Sequence, residues 1–301
     1  MGKYCYKVYG MNIKSDIEID ELLKVNNFSE NEDIINITMG RMPREVQRLH
    51  KQGKFVAPSF QKVYLYIPGI ATYCIENGKK IIIEPYYKAD MKMVNIYFIG
   101  CVLGILMHQR KVVAIHGATV VNNNKAIIIT GDCGAGKSTL STDLRKRGYG
   151  FISDDVAAIK FNNKPFVMHG FPFQKICEDT MSKLGYDKKL YTSFQSDDKV
   201  KYLVSVENKF ITKDTVLTTM VEVTVGDVDS VRYEKINGHD KLEKVLYNLF
   251  SKSYIKPCGG VTKEYFKECV EIAKNIDIYR IIRPYGKFTV DEQIQLIEKL
   301  I

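Results

Sequence analysis

Gly131-Asp132-Cys133-Gly134-Ala135-Gly136-Lys137-Ser138, followed by Thr139, is a complete phosphate-binding P-loop pattern, and its flanks decide how it is read. Ahead of it, residues 125–130 (Lys-Ala-Ile-Ile-Ile-Thr) form a short β-branched run. Behind it, residues 138–147 carry Leu140 and Leu144 at helical spacing and stop at Gly148. Strand, glycine loop and helix are the context that phosphate binding requires. Gly131, Gly134 and Gly136 let backbone N–H groups turn inward and approach phosphate oxygens, and the helix N-terminus adds partial positive charge. Lys137 is the expected β/γ-phosphate contact and Ser138 the hydroxyl that holds Mg2+. The nucleotide contacts are expected to run from Gly131 through Asp132, Cys133 and Ala135 to Thr139.

A paired carboxylate follows at once in Phe151-Ile152-Ser153-Asp154-Asp155. Only one helix, a Gly148-Tyr149-Gly150 turn and one short strand separate it from the loop. That strand is expected to return next to residues 125–130 and deliver both acids to the phosphate end. Phosphoryl transfer needs a metal to neutralise the β/γ oxygens and a carboxylate to orient and deprotonate the attacking hydroxyl. Asp154 and Asp155 can divide those tasks in either order, and both can be metal ligands.

Here the chain resembles the HPr kinase/phosphorylase C-terminal domain and its relatives, whose P-loop core is shared with ATP-dependent phosphoenolpyruvate carboxykinase. The run Ile115-His116-Gly117-Ala118-Thr119-Val120-Val121, a polar hairpin at residues 122–124, the P-loop, Arg147-Gly148-Tyr149 and Ser153-Asp154-Asp155 follow the family order. Met168-His169-Gly170-Phe171-Pro172-Phe173-Gln174-Lys175-Ile176 is similar to the family's Gly-aromatic-Pro segment, which implies that Lys175 lies near the phosphates. Residues 8–16 (Val-Tyr-Gly-Met-Asn-Ile-Lys-Ser-Asp) resemble the opening of the longer HPr-kinase-like proteins, including those that phosphorylate lasso peptides. The resemblance implies an α/β P-loop kinase using ATP and Mg2+, with Ser138 and Asp155 as metal ligands and His116 beside the acids. Thr139 stands where true HPr kinases carry an acid, and His169-Gly170 replaces their Arg-Gly signature. HPr is therefore not the expected acceptor, and the reverse reaction is in doubt; a Ser or Thr of another peptide or protein is expected. Rival readings are a small-metabolite kinase acting on free serine or a sugar, and a non-catalytic ATP-binding regulator or maturation partner. A carboxykinase fits less well, because no oxaloacetate-binding residues can be located.

The chain has 301 residues, with 45% hydrophobic and 26% charged, which excludes a disorder-dominated protein and leaves room for two domains. The net charge of +9 is spread over many segments, so no nucleic-acid or membrane partner is expected; a homo-oligomer is compatible with the sequence. Seven cysteines without Cys-x-x-Cys or zinc spacing fit a reduced, cytoplasmic setting, and Cys133 is a candidate oxidation-sensitive site within the loop. No secretory signal opens the chain. The apolar run 96–107 is shorter than the roughly 20 residues a bilayer span needs and is expected as a buried helix.

Residues 1–92 are expected as a small, mostly β N-terminal domain, with an Asn77-Gly78 hairpin turn, and residues 93–301 as the kinase domain. In the latter, 170–176 and 187–201 are expected as loops, the second of them mobile. Strands are expected at 202–206, 216–225 and 278–282, and an amphipathic helix at 289–300. Lys201, Arg280 and Arg283 are further candidates for phosphate contact, though more often such residues are surface groups.

Overall fold

The computed structural model describes residues 3–29, 31–53, 55–196, 199–250 and 252–301. The chain divides into two compact units, Met1–Ala114 with Ser251–Phe266, and Ile115–Phe250 with Lys267–Ile301.

The first unit is built on seven strands: β1 (Tyr4–Val8), β2 (Met11–Ser15), β3 (Ile34–Met39), β4 (Val56–Ser59), β5 (Lys62–Ile67), β6 (Ala71–Glu76) and β7 (Lys80–Pro85). Their order is β1-β2-β3-β7-β6-β5-β4, with β3 parallel to β2 and β7 and the other pairs antiparallel. The mostly β N-terminal domain expected from sequence is present. Asn77 and Gly78 both take positive φ, 55° and 63°, closing the β6–β7 hairpin as read.

The sequence boundary at residue 92 differs from the division after Ala114. A helix from Met91 to Gln109, with one wider π turn at Phe98–Val102, belongs to the first unit. It is fastened there by tertiary bonds: Tyr73 donates to the Val94 carbonyl at 2.8 Å, and Gln109 donates to the Phe60 and Ile75 carbonyls. At 19 residues this helix is long and apolar enough to cross a membrane, which the shorter run 96–107 had not suggested. Of its apolar window 67% is buried inside the protein, as in the core helix of a soluble domain.

The second unit contains the end of β8 (Val113–His116) and all of β9 (Ala118–Asn122), β10 (Lys125–Thr130), β11 (Gly150–Ser153), β12 (Val156–Asn162), β13 (Lys164–Met168), β14 (Phe173–Cys177), β15 (Thr192–Ser196), β16 (Lys199–Ser205), β17 (Thr215–Gly226), β18 (Arg232–Ile236) and β19 (Asp277–Pro284). The large sheet runs β11-β9-β10-β17-β13-β12-β8, with β19 also beside β17 and β18 beside β19. At its centre β10, β17 and β19 are parallel, in register Thr130↔Glu222 and Glu222↔Arg280. The apolar run 126–129 is buried throughout, as a central strand covered on both faces must be.

Leu140 and Leu144 of the helix Lys137–Lys146 pack with Ile127, Ile129, Val221 and Val223 of the sheet, and with Ile294 and Ile297 of the helix Val290–Leu300. Each such buried aliphatic side chain stabilises the layer by roughly 1.5–3 kcal/mol. This holds the loop between β10 and the helix on a rigid base.

Three expectations are corrected. The strand that leads into the acids, β11, pairs antiparallel with β9, because the two sides of β10 are already taken by β9 and β17. Residues 170–176 are not all loop: β14 joins a three-stranded sheet, β14-β16-β15. Nor is the stretch 187–201 a loop. It forms a short 3-10 turn at Lys188–Leu190 and the β15–β16 hairpin, while Asp197 and Asp198 lie outside the described residues.

Candidate active site

Gly131 has φ 137°, and a Cβ there would stand 2.1 Å from the Val223 carbonyl oxygen, so β10 can pass this close to β17 only as glycine. Gly136, at φ 107°, is the N-cap of the helix Lys137–Lys146, and no side chain caps that end. Its first N–H groups are left for a ligand, and with the helix dipole they favour an anion. Lys137 folds back, donating to the carbonyls of Gly131 at 2.7 Å and Asp132 at 3.1 Å. Arg283 braces the loop from β19, donating to the carbonyls of Ala135 at 2.8 Å and Gly134 at 3.1 Å.

The loop opens on a cavity of about 490 Å³. Among the residues expected at the nucleotide, Cys133, Gly134, Gly136, Lys137, Ser138, Thr139, Lys175, His116 and Asp155 line it. Asp132 and Ala135 instead line an adjoining hollow of about 420 Å³, which also takes in Arg283 and Tyr285. Gly131 lines neither, its carbonyl being taken by Lys137. Cys133 is exposed. Thr139 Oγ1 is 3.1 Å from Thr180 Oγ1.

Sequence reading puts both acids at the phosphate end, but they face different surroundings. Asp155 lines the cavity with its side chain 31% exposed, and its Oδ2 meets the Lys175 ammonium at 2.8 Å. Asp154 is 5% exposed, does not line the cavity, and accepts the Lys175 backbone N–H at 2.8 Å. One residue of β14 therefore addresses both carboxylates, through its ammonium and its amide.

The surroundings drive the two acids apart. Burial first, and then the charge of Asp155, push Asp154 up to about 7. Burial acts the same way on Asp155, but the charge and hydrogen bond of Lys175 outweigh it and hold Asp155 below the usual carboxylate range. Asp154 therefore holds its proton to higher pH than Asp155, which is the anion facing the cavity. Divergence of this kind in adjacent carboxyls is characteristic of working sites. Burial also lowers the pKa values of Lys137 and His116, opposed in each case by Asp155. His116 ends β8, stacks on Phe250 at 6.0 Å and is tied to β10 through Thr130, whose hydroxyl donates to its carbonyl at 2.7 Å.

Mg2+ takes few protein oxygens when phosphates and water complete its octahedron. Ser138 and Asp155 supply a hydroxyl and a carboxylate to the same cavity, and the glycine loop supplies the uncapped N–H groups of the helix that starts at Lys137. The residues thus fit a magnesium-bound nucleotide. Among the described residues, no group of three His, Cys, Asp or Glu side chains offers a metal site of its own.

Sequence reading underrated Arg283, whose bracing role depends on β19 lying beside β17. It missed Gln174, fully buried, whose amide donates to Ser141 of the loop helix at 2.8 Å. Arg280 is turned to Glu222 and Glu234. No local signal marks these partners, which come from strands distant in sequence.

No family model matches the chain. Over 84 residues, 27% of its length, it is 36% identical to the HPr kinase/phosphorylase of Mycoplasmopsis pulmonis (strain UAB CTIP). The chain is HPr-kinase-like over this stretch. The match spans 26% of that relative, so the chain covers about a quarter of the curated protein it resembles. The solved HPr(Ser) kinase/phosphatase of Coxiella burnetii superposes with a TM-score of 0.31 at 14% identity, over 62% of this chain and 88% of that one. So low a score supports nothing further about this chain.

Proposed function

We propose that this protein is a phosphotransferase that moves the γ-phosphoryl group of Mg-ATP to an acceptor hydroxyl, a Ser or Thr of a peptide or protein. The observation that carries the reading is that Asp155, Lys175 and His116 line the same cavity as an uncapped P-loop helix. A pure nucleotide sensor needs a metal ligand but no group that receives a proton.

Lys137 leaves the loop carbonyls to meet the transferring phosphoryl group, and the loop amides hold the remaining oxygens. Asp155, kept ionised by Lys175, and Ser138 would hold Mg2+, which supplies charge neutralisation when bound. His116 is neutral near pH 7 and lies on the cavity wall, so it can receive the proton of the acceptor hydroxyl. Asp154 acts as a positioning residue, fixing the strand that presents Lys175. A cytoplasmic setting fits this chemistry, since ATP is the donor.

The test is transfer of label from γ-labelled ATP to pooled peptides, proteins and free metabolites, separated by size. Lys137→Ala should lower turnover by orders of magnitude. His116→Gln should lower kcat while KM for ATP stays within a few-fold. Label in neither peptide nor protein, but in free serine or a sugar, would favour the metabolite kinase. Tight Mg-ATP binding with no transfer to any class would refute catalysis.

A further inference from the structure

The cavity beside the P-loop holds more positive charge than its nucleotide calls for. Seven basic side chains line it against two carboxylates, Asp155 and Asp179. Three of the seven are committed at the reacting end: Lys137 and Arg283 to loop carbonyls, and Lys175 to Asp155. A magnesium-bound triphosphate brings a net charge of only about −2. The remaining four lysines come from other elements, and two of them, Lys199 and Lys201, make no ion pair or hydrogen bond with any described residue through their ammonium groups.

The three-stranded sheet gives these two lysines an order. In the β14–β16 ladder Lys175 lies opposite Leu203 and Cys177 opposite Lys201. Cross-strand partners share a face, as do residues two apart along a strand. Lys175, Cys177, Lys201 and Lys199 therefore stand on one face of this sheet, and all four line the cavity. Lys175 marks the reacting end through its bond to Asp155. Along the sheet Lys201 follows about 7 Å beyond it and Lys199 about 7 Å beyond that, at the rise of an extended strand. Lys201 is half-buried and its charge reaches Asp155 and His116, so it stands near the reacting groups. An extended peptide has the same repeat, with every second side chain on one face.

We infer that the acceptor is an acidic peptide segment, bound extended along the face of β14 and β16, with Asp or Glu two and four positions from the phosphorylated hydroxyl. This rests on the phosphotransferase reading of the same cavity. Lys201 meets the nearer carboxylate and Lys199 the farther one. A basic or neutral segment leaves their charges unpaired beside Lys175, which selects against it.

The experiment uses the full chain saturated with Mg2+ and a non-hydrolysable ATP analogue, with fluorescent peptides followed by anisotropy. Peptides carry one Ser with Asp at the second and fourth positions on its N-terminal or C-terminal side. Controls have Asn at those positions, Lys at those positions, or Asp at the first and third. In at least one direction the alternate-Asp peptide should bind about tenfold more tightly than its Asn counterpart, an advantage that shrinks with added salt. The double substitution Lys199→Gln/Lys201→Gln should abolish the advantage while leaving the Asn peptide and the thermal melt unchanged. Equal binding of Asp and Asn peptides overturns the inference. So does an acidic preference that survives the double substitution, or one indifferent to spacing. Failure of the ATP analogue to bind would instead refute the phosphotransferase reading, which the nucleotide titration reports separately.

Discussion

Asp154→Asn should stabilise the second unit above about pH 4, and most at neutral and alkaline pH. Asp154 is 5% exposed and its pKa rises from 3.8 to about 7, chiefly through burial and secondarily through the Asp155 charge. A native state that binds this proton more tightly than the unfolded chain is favoured at low pH. Its advantage is complete below about pH 4 and is lost as pH rises through about 7. Three pH units at 1.36 kcal/mol each put the cost of the ionised carboxylate at roughly 4 kcal/mol above pH 7. Asparagine removes that cost. Its carboxamide oxygen can still accept the Lys175 amide proton that Asp154 accepts at 2.8 Å, and its new N–H donors face Gln174, whose buried Oε1 has no other hydrogen-bond partner among the described residues.

Urea unfolding of wild type and Asp154→Asn, followed by a probe in the second unit, checks this at half-unit steps between pH 4.5 and 8.5. The advantage of the variant should be greatest near pH 8 and fall by about 1.4 kcal/mol per pH unit below 7. It should vanish near pH 4. A variant less stable than wild type by the same amount at every pH would refute the reasoning. It would mean that Asp154 contributes through a bond specific to a carboxylate, and that burial does not dominate its titration.

Other perturbations have different signatures. Gly131→Ala puts a Cβ 2.1 Å from the Val223 carbonyl oxygen at a φ of 137°; it should cost 3 kcal/mol or more, roughly, in a melt of the second unit and abolish nucleotide binding with it. Lys175→Met leaves Asp155 beside the cavity without its cation. At pH 7 it should cost roughly 2 kcal/mol, the cavity's access to water moderating the loss. Because Lys175 holds the Asp155 pKa below its ordinary value, that cost should shrink as pH falls below about 4, where Asp155 is protonated in the unfolded chain. A cost that grows toward acid pH would contradict the pairing.

The parts of this site that were legible in the sequence are those whose chemistry is confined to a few consecutive residues. A P-loop works through its own backbone N–H groups and the helix that follows, so glycine spacing, Lys137 and Ser138 announced it without tertiary information. Asp154 and Asp155 were legible as a pair but not as individuals. They form the bend between β11 and β12, and only the fold reveals which of the two side chains meets the cavity and which meets the β14 backbone. The second acid could be told from the first only once Lys175 was known to lie between them. That required residues 173–177 to be strand, and the preceding Gly170-Phe171-Pro172 had made the whole segment read as loop.

The boundary read at residue 92 differs from the division after Ala114 for a related reason. Residues 91–109 have the composition of any core helix, and their unit is decided by partners such as Tyr73 and Ile75, which composition does not encode. The β15–β16 hairpin was hidden by its charge. Lys199 and Lys201 made the stretch 187–201 look like a solvated loop, whereas in the structure those lysines are the polar face of a strand. Charge reads as solvent exposure wherever a sequence lacks an anion to meet it, and a cavity built to receive anions is the case in which that inference fails. The misread segment and the cationic wall are therefore the same residues, and what made them look like loop is what fits them to an acidic acceptor.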